Sequence, residues 1–79
     1  MVSVMTQLQT ADRSGQLLRT LDALFKANGN LNECAQSLFI HRNTLRYRLE
    51  KITEITGIDT TSLLGLAELY IAYQLSNFE

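Results

Sequence analysis

Apolar residues recur at helical spacing over most of the chain. Between residues 14 and 27, Leu17, Leu21, Leu24 and Phe25 stand at i, i+4, i+7 and i+8, and Leu18 widens the stripe. Arg19, Asp22 and Lys26 fall mostly off it, as an amphipathic helix with one face on a core requires. Asp12 and Ser14 are candidate N-caps, because a side-chain oxygen there can accept from a first-turn amide. Asn28-Gly29 stops this helix, with glycine expected in the left-handed C′ conformation.

Asn30 then offers a second N-cap, with Glu33 at the capping-box spacing. A short helix over 31–38 places Leu31, Cys34, Ala35 and Leu38 on one face. The small Cys34 and Ala35 let a following helix cross closely. Phe39-Ile40-His41 is a turn with Ile40 directed inward. Phe39 stands where such turns commonly hold glycine; a left-handed Phe costs about 1–2 kcal/mol, which packing of its ring is expected to offset. A longer helix follows over 42–56, ended by Gly57 at C′. Leu45, Leu49 and Ile52 face its core, while Asn43, Arg46, Tyr47 and Glu50 lie opposite at about 100° per residue. Arg42 occupies its first turn and Arg48 a flank.

Ile58-Asp59-Thr60 connects to a last helix over 61–76, with Thr60 or Thr61 as its cap. That helix is apolar nearly all round, interrupted only by Glu68 and Gln74 between Leu63 and Leu75. So small a domain cannot bury every face of it. One face belongs to the core, and the surplus implies a second protomer or a neighbouring domain. The fold expected is an all-α bundle of about four helices (14–27, 31–38, 42–56, 61–76). Residues 1–11 are expected as a short helical turn, an N-terminal tail or the end of an upstream linker, and 12–79 as the domain proper. Two helices joined by a three-residue turn, the second basic and polar outside, have the form of a helix-turn-helix DNA reader.

Composition fits one small domain. Seventy-nine residues with 46% hydrophobic content and no proline are not the composition of a disordered chain. One cysteine permits no internal disulfide, and the lone His41 leaves no zinc-ligand cluster, so no metal or cofactor is expected. Apolar runs stay below the ~18 residues of a membrane span, and the N-terminus lacks signal-peptide character. A cytoplasmic protein without membrane contact follows.

Net charge is −1, which opposes nucleic-acid binding until its distribution is considered. Arg42, Arg46, Arg48 and Lys51 against Glu50 alone give +3 over residues 41–53. Glu54, Asp59, Glu68 and Glu79 give −4 beyond it, and the first forty residues cancel. A charge run is commonly just a solvated helix face; here it coincides with the candidate recognition helix. No phosphate loop, catalytic triad or paired carboxylates occur, so an enzyme is not expected.

His41-Arg42-Asn43-Thr44-Leu45-Arg46-Tyr47-Arg48-Leu49, followed by Ile55-Thr56-Gly57-Ile58-Asp59, resembles the C-terminal domain of the CdaR/PucR family of bacterial transcription factors. Leu18-Arg19-Thr20-Leu21, Ala35 with Leu38-Phe39-Ile40, and Leu69 to Leu75 share in the resemblance, which is strongest to the sugar-diacid regulator branch. It departs after Asp59, where Thr-Thr-Ser-Leu-Leu-Gly-Leu replaces a more charged stretch. The resemblance implies a helix-turn-helix like that of the nucleoid protein Fis, double-stranded DNA as partner, and a longer regulator, often an activator, with a metabolite sensor upstream.

Roles follow by position. His41, Arg42 and Thr44, at a helix N-terminus suited to anions, are candidates for a backbone phosphate. Arg46 suits guanine O6/N7 and Asn43 adenine N6/N7. Tyr47 can meet a thymine methyl or a phosphate. Lys51 and Arg48 are candidates for the backbone, with an internal ion pair the other possibility for Arg48. A single copy makes few phosphate contacts, so a homodimer through the apolar last helix is expected, spacing two recognition helices about 34 Å apart. The competing reading is a protein-interaction or dimerisation module of the same shape that does not read DNA.

Overall fold

The computed structural model describes residues 3–76. Met1, Val2 and Glu79, which entered the reading of the two ends, lie outside them. Among the described residues the structure is all helical: α1 (Val4–Ala11), α2 (Gln16–Lys26), α3 (Leu31–Leu38), α4 (Arg42–Thr56) and α5 (Leu63–Ser76). That is five helices rather than about four. The additional one, α1, forms where a short helical turn or a tail was expected, and runs for eight residues. Ser3 Oγ accepts from the Thr6 amide at 3.1 Å, and Met5 and Leu8, one turn apart, are both buried. Two apolar positions are too few to register as a period, yet both reach the core against α4 and α5.

The start of α2 also differs from the expected residue 14. Gly15 takes a left-handed φ of +76° and turns the chain. The carboxylate of Asp12 then reaches over the turn and accepts from the amides of Leu17 and Leu18 at 3.0 and 2.9 Å. Ser14 Oγ accepts from the Gln16 amide at 3.3 Å. Both candidate caps are therefore engaged, from further upstream than a conventional N-cap.

At its C-terminal end α2 stops at Lys26. Asn28, not Gly29, occupies the first left-handed position, at φ +55°. The Asn28 amide donates to Phe25 O at 3.0 Å and the Gly29 amide to Leu24 O at 2.9 Å, which is a Schellman closure. Asn30 Oδ1 caps α3 by accepting from the Glu33 amide at 3.0 Å.

The core is built from Met5, Leu8, Leu21, Leu24, Cys34, Ala35, Leu45, Leu49, Ile52 and Leu69, with Ala27 at its margin. Fully burying one such aliphatic side chain contributes about 1.5–3 kcal/mol. Cys34 is packed inside, and burial pushes its thiol above the usual range; it is a core residue rather than a reactive one. Thr20 tolerates burial because its hydroxyl donates to Gln16 O at 2.8 Å.

The last helix begins at Leu63, not 61. Asp59 Oδ1 accepts from both the amide and the hydroxyl of Thr61, at 2.8 and 2.6 Å, so Thr61 is held in a turn. Ser62 Oγ becomes the cap, accepting from the Gly65 amide at 2.9 Å. Only Leu69 of α5 is fully buried, while Leu66, Ala72 and Tyr73 pack on the core's edge. Phe25 meets Tyr70 edge-on at 5.1 Å and Tyr73 at 5.4 Å, and the Tyr73 hydroxyl donates to Asp22 at 3.1 Å. These contacts tie α5 to α2 as well as α1.

Candidate nucleic-acid interface

The turn between α3 and α4 closes as a second Schellman motif. Phe39 takes φ +56°, its amide donates to Gln36 O, and the Ile40 amide donates to Ala35 O, both at 3.1 Å. Ile40 then packs against the core. The Phe39 ring, expected to offset its backbone cost by packing, is instead 95% exposed. The hydrogen bonds and Ile40 hold the turn; the ring contributes nothing to it.

His41 caps α4. Its Nδ1 accepts from the Asn43 amide at 3.0 Å. A ring that accepts at Nδ1 carries its proton on Nε2, so this cap leaves an exposed N–H donor at the helix N-terminus. The expectation of a phosphate there is modified accordingly. One first-turn amide is already taken, and the available groups are the His41 ring, the Arg42 guanidinium and the Thr44 hydroxyl, all on exposed residues.

Along α4 the buried edge is Leu45, Leu49 and Ile52. Asn43, Arg46, Tyr47 and Glu50 are exposed on the other side, with Tyr47 60% accessible. The candidate residues are not a single row. Arg42 and Arg46 border a cleft of about 410 Å³ whose opposite wall includes Leu31 and Asp59 to Thr61. Thr44, Tyr47, Arg48 and Lys51 border a separate groove beside the α1–α2 turn. Lys51 lies 5.8 Å from the Tyr47 ring centroid and 3.5 Å from Glu54. Among the described residues no carboxylate stands within ion-pair distance of Arg42, Arg46 or Arg48. The internal ion pair that was one alternative for Arg48 is therefore not formed among the described residues.

Arg13 and Ser14 are brought to this interface from the α1–α2 turn. Sequence reasoning took Ser14 only as a cap and gave Arg13 no role. The signal was indirect: a basic residue directly after a capping aspartate, on a turn whose position relative to α4 depends on α1 being a helix. No group of residues able to hold a metal ion occurs among the described residues, and no helix among them is long and apolar enough to cross a membrane.

Residues 17–75 match the family described as the PucR C-terminal helix-turn-helix domain. The chain is 45% identical over 71 residues to the carbohydrate diacid regulator of Escherichia coli, covering 90% of this chain and 18% of that protein. It is 42% identical over 72 residues to the transcriptional activator PmfR of Paenarthrobacter nicotinovorans, covering 90% and 15%. Against the proline-responsive transcriptional activator PutR of Bacillus subtilis it is 39% identical over 64 residues, covering 81% and 16%. The chain thus spans less than a fifth of the length of each of these relatives.

Proposed function

The chain belongs to the PucR C-terminal helix-turn-helix family, and from that membership we propose that α4 enters the major groove of double-stranded DNA and reads its sequence. The family and these relatives are transcription regulators, not enzymes. The observation that carries the proposal is the two-sided character of α4. A buried Leu45–Leu49–Ile52 edge fixes the helix, and Asn43, Arg46 and Tyr47 stand exposed opposite it. An exposed guanidinium without a carboxylate partner is free to make a bidentate contact with guanine, and an exposed amide can do the same with adenine. His41, Arg42 and Thr44 take a phosphate at the helix N-terminus. Arg48 and Lys51 face the flanking backbone.

The reading extends to partners. Leu64, Ile71 and Leu75 follow one side of α5 and are 81%, 59% and 63% exposed, a largely apolar face, interrupted by the exposed Glu68, that is suited to a second copy of the chain. A homodimer through α5 would set two recognition helices one DNA turn apart. We also read the α3–turn–α4 unit as of the Fis kind, and the chain as the DNA-binding part of a longer regulator with a sensor upstream. Carbohydrate-diacid or related catabolic genes are the proposed targets, with the protein acting in the cytoplasm on nucleoid DNA. The identity to the diacid regulator supports that choice of target.

The test is a titration of fluorescent duplexes enriched from a random pool, at two salt concentrations. Binding should weaken steeply with salt. Arg46→Ala and Asn43→Ala should each lose about 1–3 kcal/mol on the enriched site. A chain that sediments as a dimer but binds no duplex at low salt would instead be a pairing module. A strict monomer at high concentration would refute the α5 interface.

A further inference from the structure

The groove beside α4 has one wall on the recognition helix and the other on the α1–α2 turn. It is open, holds about 600 Å³, and is bordered by Arg13 and Ser14 on one side and Thr44, Arg48 and Lys51 on the other. We propose that it seats one phosphodiester strand of the bound duplex, with Arg13 and Arg48 as its principal phosphate contacts. The α1–α2 turn then grips DNA independently of sequence while α4 reads it. This inference rests on the DNA-reading function proposed above.

The charges in the groove point to an anion. Two carboxylates border it, and both are engaged. Asp12 uses both oxygens on the amides of Leu17 and Leu18, and Glu54 lies 3.5 Å from Lys51. Arg13 and Arg48 have no carboxylate within ion-pair distance among the described residues. Arg48 is half-buried as well. A partly desolvated guanidinium without a partner is unfavourable unless an anion joins it, and its planar fork matches a phosphate's oxygens.

Position points to DNA rather than to a free anion. Tyr47 belongs to the exposed reading face and also to the wall of this groove. A duplex whose major groove receives α4 must present a sugar–phosphate strand along each flank of that helix. Arg42 borders the cleft on the other flank, so basic residues stand on both sides of the helix as two backbones would require. Arg13 precedes the matched segment 17–75, so this grip would add to what the matched segment supplies.

Phosphate contacts are measurable without an operator. The 79-residue chain is titrated by fluorescence anisotropy against a mixed-sequence duplex at several salt concentrations. Arg13→Ala, Arg48→Gln and, as comparator, Arg46→Ala are treated alike. Losing one phosphate contact should reduce the slope of log K against log salt by about 0.9. A contact worth nothing near 1 M salt is then worth roughly eightfold at about 0.1 M, and that is the loss expected for Arg13→Ala and for Arg48→Gln. Arg13→Lys should keep most of the affinity, since the charge remains. Wild-type slope and affinity in Arg13→Ala, with the parent chain binding normally, overturn the inference and leave the reading role of α4 intact. A parent chain that binds no duplex overturns both. Should Arg48→Gln fail to fold by circular dichroism, the exposed Arg13 decides alone.

Discussion

Replacing Phe39 with glycine should stabilise the domain, although it removes an aromatic ring. Phe39 sits at φ +56°, where a Cβ crowds the following carbonyl at a cost of about 1–2 kcal/mol. Glycine is free of that cost but loses about 0.4–1 kcal/mol through its greater freedom in the unfolded chain. The ring is 95% exposed, so its removal forfeits almost no burial. The balance favours Phe39→Gly by about 0.5–1 kcal/mol, a rise in Tm of roughly 2–8 °C for a domain this small. Urea unfolding checks it: the midpoint should rise with m unchanged. Phe39→Ala keeps its Cβ and the strain, and should stay within about 0.5 kcal/mol of the parent. Phe39→Asn should fall between, because the equivalent position of α2 holds Asn28 at φ +55°. A loss of about 1 kcal/mol or more in Phe39→Gly would mean that the ring makes a stabilising contact, and the account of this turn would be wrong.

Three further expectations follow from local geometry. Gly65→Ala should destabilise by about 1–3 kcal/mol despite alanine's better helix propensity, because a Cβ there would collide with the Asp59 carbonyl and meet Ser62 Oγ; a gain in thermal stability would contradict this. Asp12→Ala should cost about 1–2 kcal/mol in chemical denaturation, since two α2 amides lose their acceptor at a buried residue; an unchanged midpoint would count against the cap. The Asp59 carboxyl is held below its ordinary value of 3.8 by hydrogen bonds from the Thr61 hydroxyl and then the Thr61 amide. Because the folded value is the lower one, that stabilisation is complete above 3.8 and disappears as pH falls through the depressed value. An NMR titration midpoint at or above 3.8 would refute it, and Thr61→Ala should move the midpoint upward.

The sequence revealed most where local and tertiary preferences agree. The bounds of α3 and α4 matched at 31–38 and 42–56, because Asn30, Phe39, His41 and Gly57 each punctuate a helix that also has a clear apolar edge. It was least informative where tertiary packing decides. Met5 and Leu8 form no visible stripe and become core only because α4 and α5 supply the other walls. Ser62 replaced the expected caps because the Asp59 side chain captured Thr61, a competition between adjacent polar residues that spacing alone does not settle. That shift falls where the chain departs from the family pattern after Asp59. For the interface, the exposed edge of α4 followed from periodicity. Arg13 did not, since its approach to Arg48 depends on a helix the pattern did not disclose.

Charge placement explains how a chain of net charge −1 can present a basic face. Screening limits exposed charges to a reach of about 10 Å at 0.1 M salt, so the potential over α4 is set by what lies near it rather than by the total. Several acids near the basic residues are engaged already: Asp12 by amides, Glu54 by Lys51, Asp59 by Thr61. Asp22 is drawn toward Lys26 at 2.9 Å and Tyr73 at 3.1 Å on α2 and α5. Glu50 is the exception, exposed on α4 and bordering the cleft with Arg42 and Arg46. A carboxylate there repels phosphate but can accept from the exocyclic amine of cytosine. If Glu50 reads a base, Glu50→Gln should tighten binding to a mixed-sequence duplex while narrowing the preference for the enriched site. If it is only a solvated charge, the same change should tighten both equally. The ratio of the two affinities distinguishes these roles.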